Sequence, residues 1–323
     1  MSNVLRTAAI VLATMLSASL SYAQGYPSKP VRIVVPASAG GANTILARIM
    51  ADRLQASMGQ PFLVDNRGGA GGTIGANAVA KAAPDGYTLL LTYGGPISTG
   101  LGLLKAVPYD AAKDFAPISR IADVQLIMVS SPAFAPQNVK DVIGHANANP
   151  GIVTAYISTF GSMGHLLTEQ FRLVTRVKIN TIPYKGSGPA LVDLFGGQIN
   201  IAFDTLPITL PHIKSGRLRA LAIASATRSE LVPEVPTFTE LGMEGMEVTA
   251  WFALLAPAGT PGDIVDRLSQ ESARILQSSE VRELVSKQGA IAGASTPREL
   301  ATFMRQETEK WGRIIRDAGL KPE

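Results

Sequence analysis

The chain has 323 residues, 46% of them hydrophobic and 17% charged, with a net charge of +4. That length holds two ordinary domains with a core each, and the scattering of Lys and Arg among acids speaks against a nucleic-acid groove. The absence of cysteine excludes a disulfide framework, Cys-ligated zinc, iron–sulfur clusters and a thiol nucleophile.

Arg6 is the only charged residue among the first 28. Ala8 to Leu20 is apolar and small, and Ser21-Tyr22-Ala23 fits a small-x-small cleavage site. Residues 1–23 therefore read as a secretory signal peptide cut after Ala23. The alternative is an uncleaved anchor, but the apolar run is short for a membrane span. No cysteine follows it, which excludes a bacterial lipoprotein. No later segment reaches ~18 uninterrupted apolar residues, so the mature chain is expected to be soluble and exported.

The first unit is the most informative. Val31 to Val35 (V-R-I-V-V) is a short β-branched run, read as a buried strand. Ile45, Leu46, Ile49, Met50 and Leu54 fall on one helical face. Between them lies P-A-S-A-G-G-A-N-T, with Asn43 or Thr44 as the expected N-cap. A strand that passes through small residues into a helix presents free N–H groups and the positive end of the helix dipole, which favour an anion.

The same unit recurs. Pro61 to Asp65 is a second strand, followed by N-R-G-G-A-G-G-T-I-G-A and a helix from Ile74 to Lys81. Gly69, Gly71 and Gly75 nearly mimic a dinucleotide fingerprint, but Ile74 holds the sixth position and the spacing fails. Tyr87 to Thr92 is a strand leading into Y-G-G-P-I-S-T-G. Val124 to Ser130 is another, followed by a helix from Val139 to Ala148 and a break at Pro150-Gly151. Val153 to Ile157, the turn S-T-F-G-S-M-G and a helix from His165 to Val174, burying Leu167, Phe171 and Val174, begin the pattern again. Lys178 to Ile182 enters P-Y-K-G-S-G, with Pro189 at a first helical position. Ile199 to Phe203 enters the turn Asp204-Thr205-Leu206-Pro207, and Leu218 to Ala224 and Val248 to Leu255 are later strands. Amphipathic helices near Pro261 to Gln277 and Pro297 to Arg316 close the chain, the second opened by a capping box, Thr296-Pro297-Arg298-Glu299. These last ~65 residues read as structural cover.

Enzyme motifs are lacking. His145, His165 and His212 are the only histidines, and none stands in an H-E-x-x-H or similar ligand spacing. Ser162 in F-G-S-M-G lacks the first glycine of a nucleophile elbow, and there is no P-loop. His165, in the first turn of its helix, reads as a surface or supporting group rather than a general base. No cofactor is called for. Five turns of small and hydroxyl residues at strand ends suit a carboxylate held by backbone amides instead. At about 1.5–3 kcal/mol per hydrogen bond to an ionised group, three or four of them give micromolar affinity once ordering costs are met. Lys185 adds a charge at the rim or is simply solvated. Asp204 accepts from a ligand hydroxyl or amine, or caps the helix that follows.

These stretches also carry a resemblance. Y-P-S-K-P from Tyr26, V-V-P-x-x-x-G-G-A from Val34, N-R-x-G-A-G-G-x-I-G-A from Asn66, A-A-P-D-G-Y-T-L-L from Ala82 and P-Y-K-G-S-G-P-A-L-x-D-L-x-G-G-Q from Pro183 occur in this order. The chain resembles the solute-binding proteins of tripartite tricarboxylate transporters, the Bug family, from Tyr26 to about Leu320. The resemblance implies an α/β, two-domain periplasmic-binding-protein (Venus-flytrap) fold. Each domain is a mostly parallel sheet flanked by helices, with two crossover strands near Val124–Ser130 and Val248–Leu255. It divides the mature chain into residues 24–124 plus 248–323 and residues 125–247.

It further implies a monomeric periplasmic protein that captures a small carboxylate and passes it to membrane permease subunits. In the first domain the implied contacts are the turn Ser38, Ala39, Gly40, Gly41, Ala42, Asn43 and Thr44, helped by Tyr93 and Gly94. In the second they are Ser158, Thr159, Gly161 and Ser162, then Lys185, Gly186, Ser187 and Gly188, and Asp204. Thr44 stands where many members carry aspartate, so the solute is expected to lack an α-amino group. The turn at Tyr93-Gly94-Gly95-Pro96 also departs from the expected serine-rich form. A secreted enzyme using His165 and Asp204, or a receptor reporting to a membrane sensor, are the competing readings.

Overall fold

A computed structural model describes residues 25–37, 39, 42–104, 106–158, 161–184 and 186–322. The expected signal peptide and the predicted site residues Ser38, Gly40, Gly41, Thr159 and Lys185 lie outside the described residues. The strands are β1 (Val31–Val35), β2 (Phe62–Asn66), β3 (Thr88–Tyr93), β4 (Phe115–Ser130), β5 (Thr154–Ile157), β6 (Asn180–Pro183), β7 (Ile201–Thr205), β8 (Arg219–Ile223), β9 (Thr249–Pro257) and β10 (Ala290–Ala292). The helices are α1 (Ala42–Met58), α2 (Thr73–Ala80), α3 (Val139–Ala148), α4 (Met163–Thr175), α5 (Ser187–Phe195), α6 (Leu206–Lys214), α7 (Gly262–Gln277), α8 (Ser279–Ser286) and α9 (Pro297–Asp317).

The strands form one hydrogen-bonded path, β2-β1-β3-β9-β4-β7-β5-β6, with β8 and β10 also on β4. β4 is the axis. Its upstream part, to Gln125, pairs with β9 and β10; its downstream part, from Leu126, pairs with β7 and β8. The parallel pairs are β1 with β2 and β3, and β5 with β6 and β7. The antiparallel ladders all involve β4 or β9, the two strands expected as crossovers. The path thus has two lobes, each a parallel set flanked by helices, joined through β4. The chain comes back to the first lobe where the Val248 N–H donates to the Ala224 carbonyl and Thr249 pairs with Gln125.

Both faces of each sheet are buried, as parallel sets require. In the first lobe Ile33, Val35, Leu89 and Leu91 pack on Leu46, Met50 and Leu54 of α1 and Leu268 and Ile275 of α7. Val34 and Leu90 point the other way, to Ala76 and Val79 of α2 and Leu300 and Met304 of α9. The period of two decides which helix each residue meets. In the second lobe Leu126, Met128, Ala155 and Phe203 meet Val142 of α3 and Leu166 and Phe171 of α4. Ile127, Val129, Tyr156 and Ala202 meet Leu191 and Leu194 of α5. Leu103, from the first lobe's chain, and Trp311, Ile314 and Ile315 of α9 belong to the second lobe's core, so α9 joins the two.

Several local expectations are corrected. Asn43 and Thr44 are not N-caps: α1 already includes Ala42, and the buried Thr44 hydroxyl is bonded to Asn66. Val174 is 39% exposed, because Leu166 joins Leu167 and Phe171 and turns the apolar face of α4 away from it. Asp204-Thr205 is no turn: β7 runs through Thr205 straight into α6. Tyr93-Gly94 leads into a π-helical turn, Gly95–Thr99.

Candidate functional site

The registers fix where the strand ends meet. Tyr93, the last residue of β3, pairs with Phe252, which pairs with Ala122 of β4. Thr205, the last residue of β7, pairs with Leu126. β3 and β7 therefore run from opposite ends toward one short segment of β4. Four residues of strand span ~13 Å. The carboxyl ends of both parallel sets, where α/β proteins bind ligands, converge on the junction between lobes.

In the second lobe the described candidates other than Gly188, which lies exposed in the first turn of α5, form one bonded cluster. The β5–β6 ladder continues past its strands: the Tyr184 N–H donates to the Ile157 carbonyl (2.9 Å) and the Gly186 N–H to the Ser158 carbonyl (2.7 Å). Gly186 has φ +107°, which an L side chain rarely adopts, and this turn delivers Ser187 to the start of α5. The Ser187 hydroxyl donates to Asp204 Oδ2 (2.5 Å), and the buried Tyr156 hydroxyl donates to the same oxygen (2.6 Å). The Thr205 N–H donates to Oδ1 (2.6 Å). Asp204 thus caps no helix; its carboxylate is saturated by three neighbours. Burial, then the Asp204 charge, pushes the Tyr156 phenol well above its ordinary range, so it remains a donor.

The Ser158 and Ser162 hydroxyls lie 3.4 Å apart. Ser162 caps α4, accepting from the His165 N–H (3.2 Å). His165 Nδ1 accepts from the Gly161 N–H (3.0 Å). Of the two places expected for His165, the surface one is excluded and the supporting one fits: the ring is 2% exposed, because α4 packs it inward over the Gly161 turn. Burial, then the Arg172 charge, lowers its pKa to about 4. Glu169 Oε1 is 3.9 Å from Nε2 and would favour the protonated ring, but Arg172 Nη1 already lies 2.8 Å from both Glu169 oxygens. A weakly basic, hydrogen-bonded ring and a saturated Asp204 make a poor acid–base pair at neutral pH. Gly164 shows why F-G-S-M-G is glycine-rich: a Cβ there would meet the Phe203 carbonyl oxygen at 2.1 Å. The glycine serves the packing of α4 on β7.

In the first lobe the described candidates are Ala39, Ala42, Asn43, Thr44, Tyr93 and Gly94. Asn66, at the end of β2, was not foreseen. Its Nδ2 donates to the Ala37 carbonyl (3.1 Å) and to Thr44 Oγ1 (2.8 Å), gripping both sides of the β1–α1 turn. The Tyr93 hydroxyl donates to the Gly71 carbonyl (3.2 Å). Gly72, φ +94°, lies between the Pro36 carbonyl and that hydroxyl, and Gly75 lets α2 approach Arg67 and Pro36 closely. The glycine-rich stretch is thus a packing device beside the β1–α1 turn. Leu103 lies against Gly161 across the junction. Asn66 and Tyr156 were missed because an Asn in a turn and a Tyr in a buried strand carry no local mark of their partners.

This fold and this arrangement of strand ends define a two-lobed binding protein. The model of the tripartite tricarboxylate transporter family receptor matches residues 46–320, and the chain belongs to that family of solute-binding receptors. It is 42% identical to protein BugT of Bordetella pertussis over 99% of each chain. Among solved structures it resembles R. palustris Rpa4515 with adipate, at 36% identity and TM-score 0.82 over 92% of this chain and all of that one. MatC from Rhodopseudomonas palustris, with bound malate, is 30% identical with TM-score 0.76, over 90% of this chain and all of that one.

Proposed function

We propose that this receptor captures a small carboxylate in the periplasm, between lobes formed by residues 24–124 with 248–323 and by residues 125–247, and delivers it to membrane permease subunits. The observation that carries the reading is family membership together with two relatives, one holding adipate and one malate. The Ser158 and Ser162 hydroxyls and the amides at the starts of α4 and α5 support it as donors suited to an anion. The facing wall of the proposed cleft is drawn from the first lobe, at Tyr93 and Gly94 where β3 ends. Export agrees with the signal-like N-terminus and with the lack, among the described residues, of any helix long and apolar enough to cross a membrane. The solute lacks an α-amino group, since position 44 offers a threonine already bonded to Asn66. Affinity rises with closure because a ligand favours the closed state only through contacts it makes there.

The test is calorimetry of the mature chain against carboxylates of four to ten carbons, with amino acids and sugars as controls. The expected result is micromolar or tighter binding of at least one carboxylate, abolished by Ser187→Trp with the melting temperature retained. Binding of sugars alone, or of aspartate and glutamate in preference to simple acids, would overturn the reading.

A further inference from the structure

We propose that Asp204 fixes the hydrogen-bond polarity of the second lobe's wall, so that Ser187 offers the solute a lone pair and selects a hydroxylated acid over its deoxy analogue. The inference rests on the proposed carboxylate-receptor function and deepens it. A carboxylate only accepts hydrogen bonds, and a serine hydroxyl has one proton and two lone pairs. With Ser187 Oγ 2.5 Å from Asp204 Oδ2, the serine proton is committed to Asp204. The same oxygen takes the Tyr156 hydroxyl and Oδ1 takes the Thr205 N–H. Asp204 is 7% exposed, so this polarity is set inside the lobe and solvent does not rearrange it.

What remains on Ser187, half-buried at the opening of α5, is acceptor capacity backed by a negative charge. A solute oxygen without a proton is repelled there; a hydroxyl completes the chain solute–Ser187–Asp204. An ammonium is a poorer match: it brings three protons, while Ser187 offers two lone pairs and both Asp204 oxygens are engaged. A site built around an acceptor rejects the analogue that lacks the donor. At a half-buried position one such bond amounts to about a tenfold preference.

The experiment is calorimetry of the mature chain with matched acids of four to six carbons, each as the dicarboxylate, its 2-hydroxy form and its 2-amino form, for the wild type, Ser187→Ala and Asp204→Asn. The expected result is about tenfold tighter binding of the hydroxy acid than of both analogues by the wild type. Ser187→Ala is expected to abolish the preference by weakening the hydroxy acid alone. Asp204→Asn, whose amide can donate to Ser187 and free its proton, should improve the matched 2-oxo acid, measured alongside, whose carbonyl only accepts, and leave the deoxy acid, which has a methylene there, unchanged. Should Asp204→Asn fail to fold, Ser187→Ala decides. Equal binding of hydroxy and deoxy acids, or a preference that survives Ser187→Ala, would overturn the inference and leave the receptor reading standing; tighter binding of the amino acid would overturn both. Failure of every carboxylate to bind would overturn both.

Discussion

Gly164 and His165 are neighbours with opposite demands. Gly164 needs to have no side chain: a methyl group would press on the Phe203 carbonyl oxygen. Gly164→Ala is therefore expected to cost about 3 kcal/mol, measured as a lower urea midpoint. Gly144, mid-helix with open space around it, is the control, and Gly144→Ala should stabilise by up to about 1 kcal/mol. His165 must stay neutral. Its pKa falls from an ordinary ~6.5 to about 4 on folding, so the folded state binds its proton less readily than the unfolded state. Its contribution is intact above pH ~6.5 and is lost as pH falls toward 4, by roughly 3 kcal/mol at most. Unfolding titrations from pH 7 to 4 should show this slope, and His165→Gln should flatten it. None of this was legible in F-G-S-M-G. That string showed a failed nucleophile elbow, whereas the reasons for Gly164 and His165 lie some forty residues on at Phe203 and four residues away at Gly161.

Among the elements, α9 carries the most structure per residue. Thr296 and Glu299 exchange hydrogen bonds with each other's backbone at its start, and Thr296→Ala should cost about 1 kcal/mol. Leu300 and Met304 sit in the first lobe's core, and Trp311 and Ile315 in the second's. Between them one oxygen of Glu307 accepts from both indoles of the chain, Trp251 of β9 (3.3 Å) and Trp311 (2.9 Å). Trp311→Ala should cost about 3–5 kcal/mol, several times the cap, and the two losses should add in chemical denaturation because the sites share no partner. The capping box and the apolar stripe were plain in the sequence. Which lobe each end of the stripe serves was not, since periodicity names a face and not its partner. α6 escaped notice because Pro207 and Pro211 interrupt nine residues, and β10 because three residues carry no pattern.

At the scale of the molecule, β4 decides the architecture. Its downstream half, uniformly buried from Val124 to Ser130, was visible as a strand. The upstream half was hidden by Pro117, Arg120 and Asp123 and by two register shifts against β9, where the ladder bends and the binary pattern breaks. Alternation from strand to small turn to helix was enough to read an α/β chain with two parallel sets, and the motif order was enough to suggest the family. The convergence of β3 and β7 on Ala122–Leu126 is a property of pairing, which a single sequence does not encode locally.

A solute gripped between lobes must change the distance between them. The chain has no cysteine, so Leu63→Cys and Ile152→Cys, both at exposed positions on opposite lobes, accept spin labels without further change. Their distance distribution would be measured by pulsed electron resonance with and without the tightest-binding acid of the calorimetric screen. A shift to a shorter, narrower distribution on saturation is the predicted result; saturation with an unchanged distribution would contradict capture between the lobes.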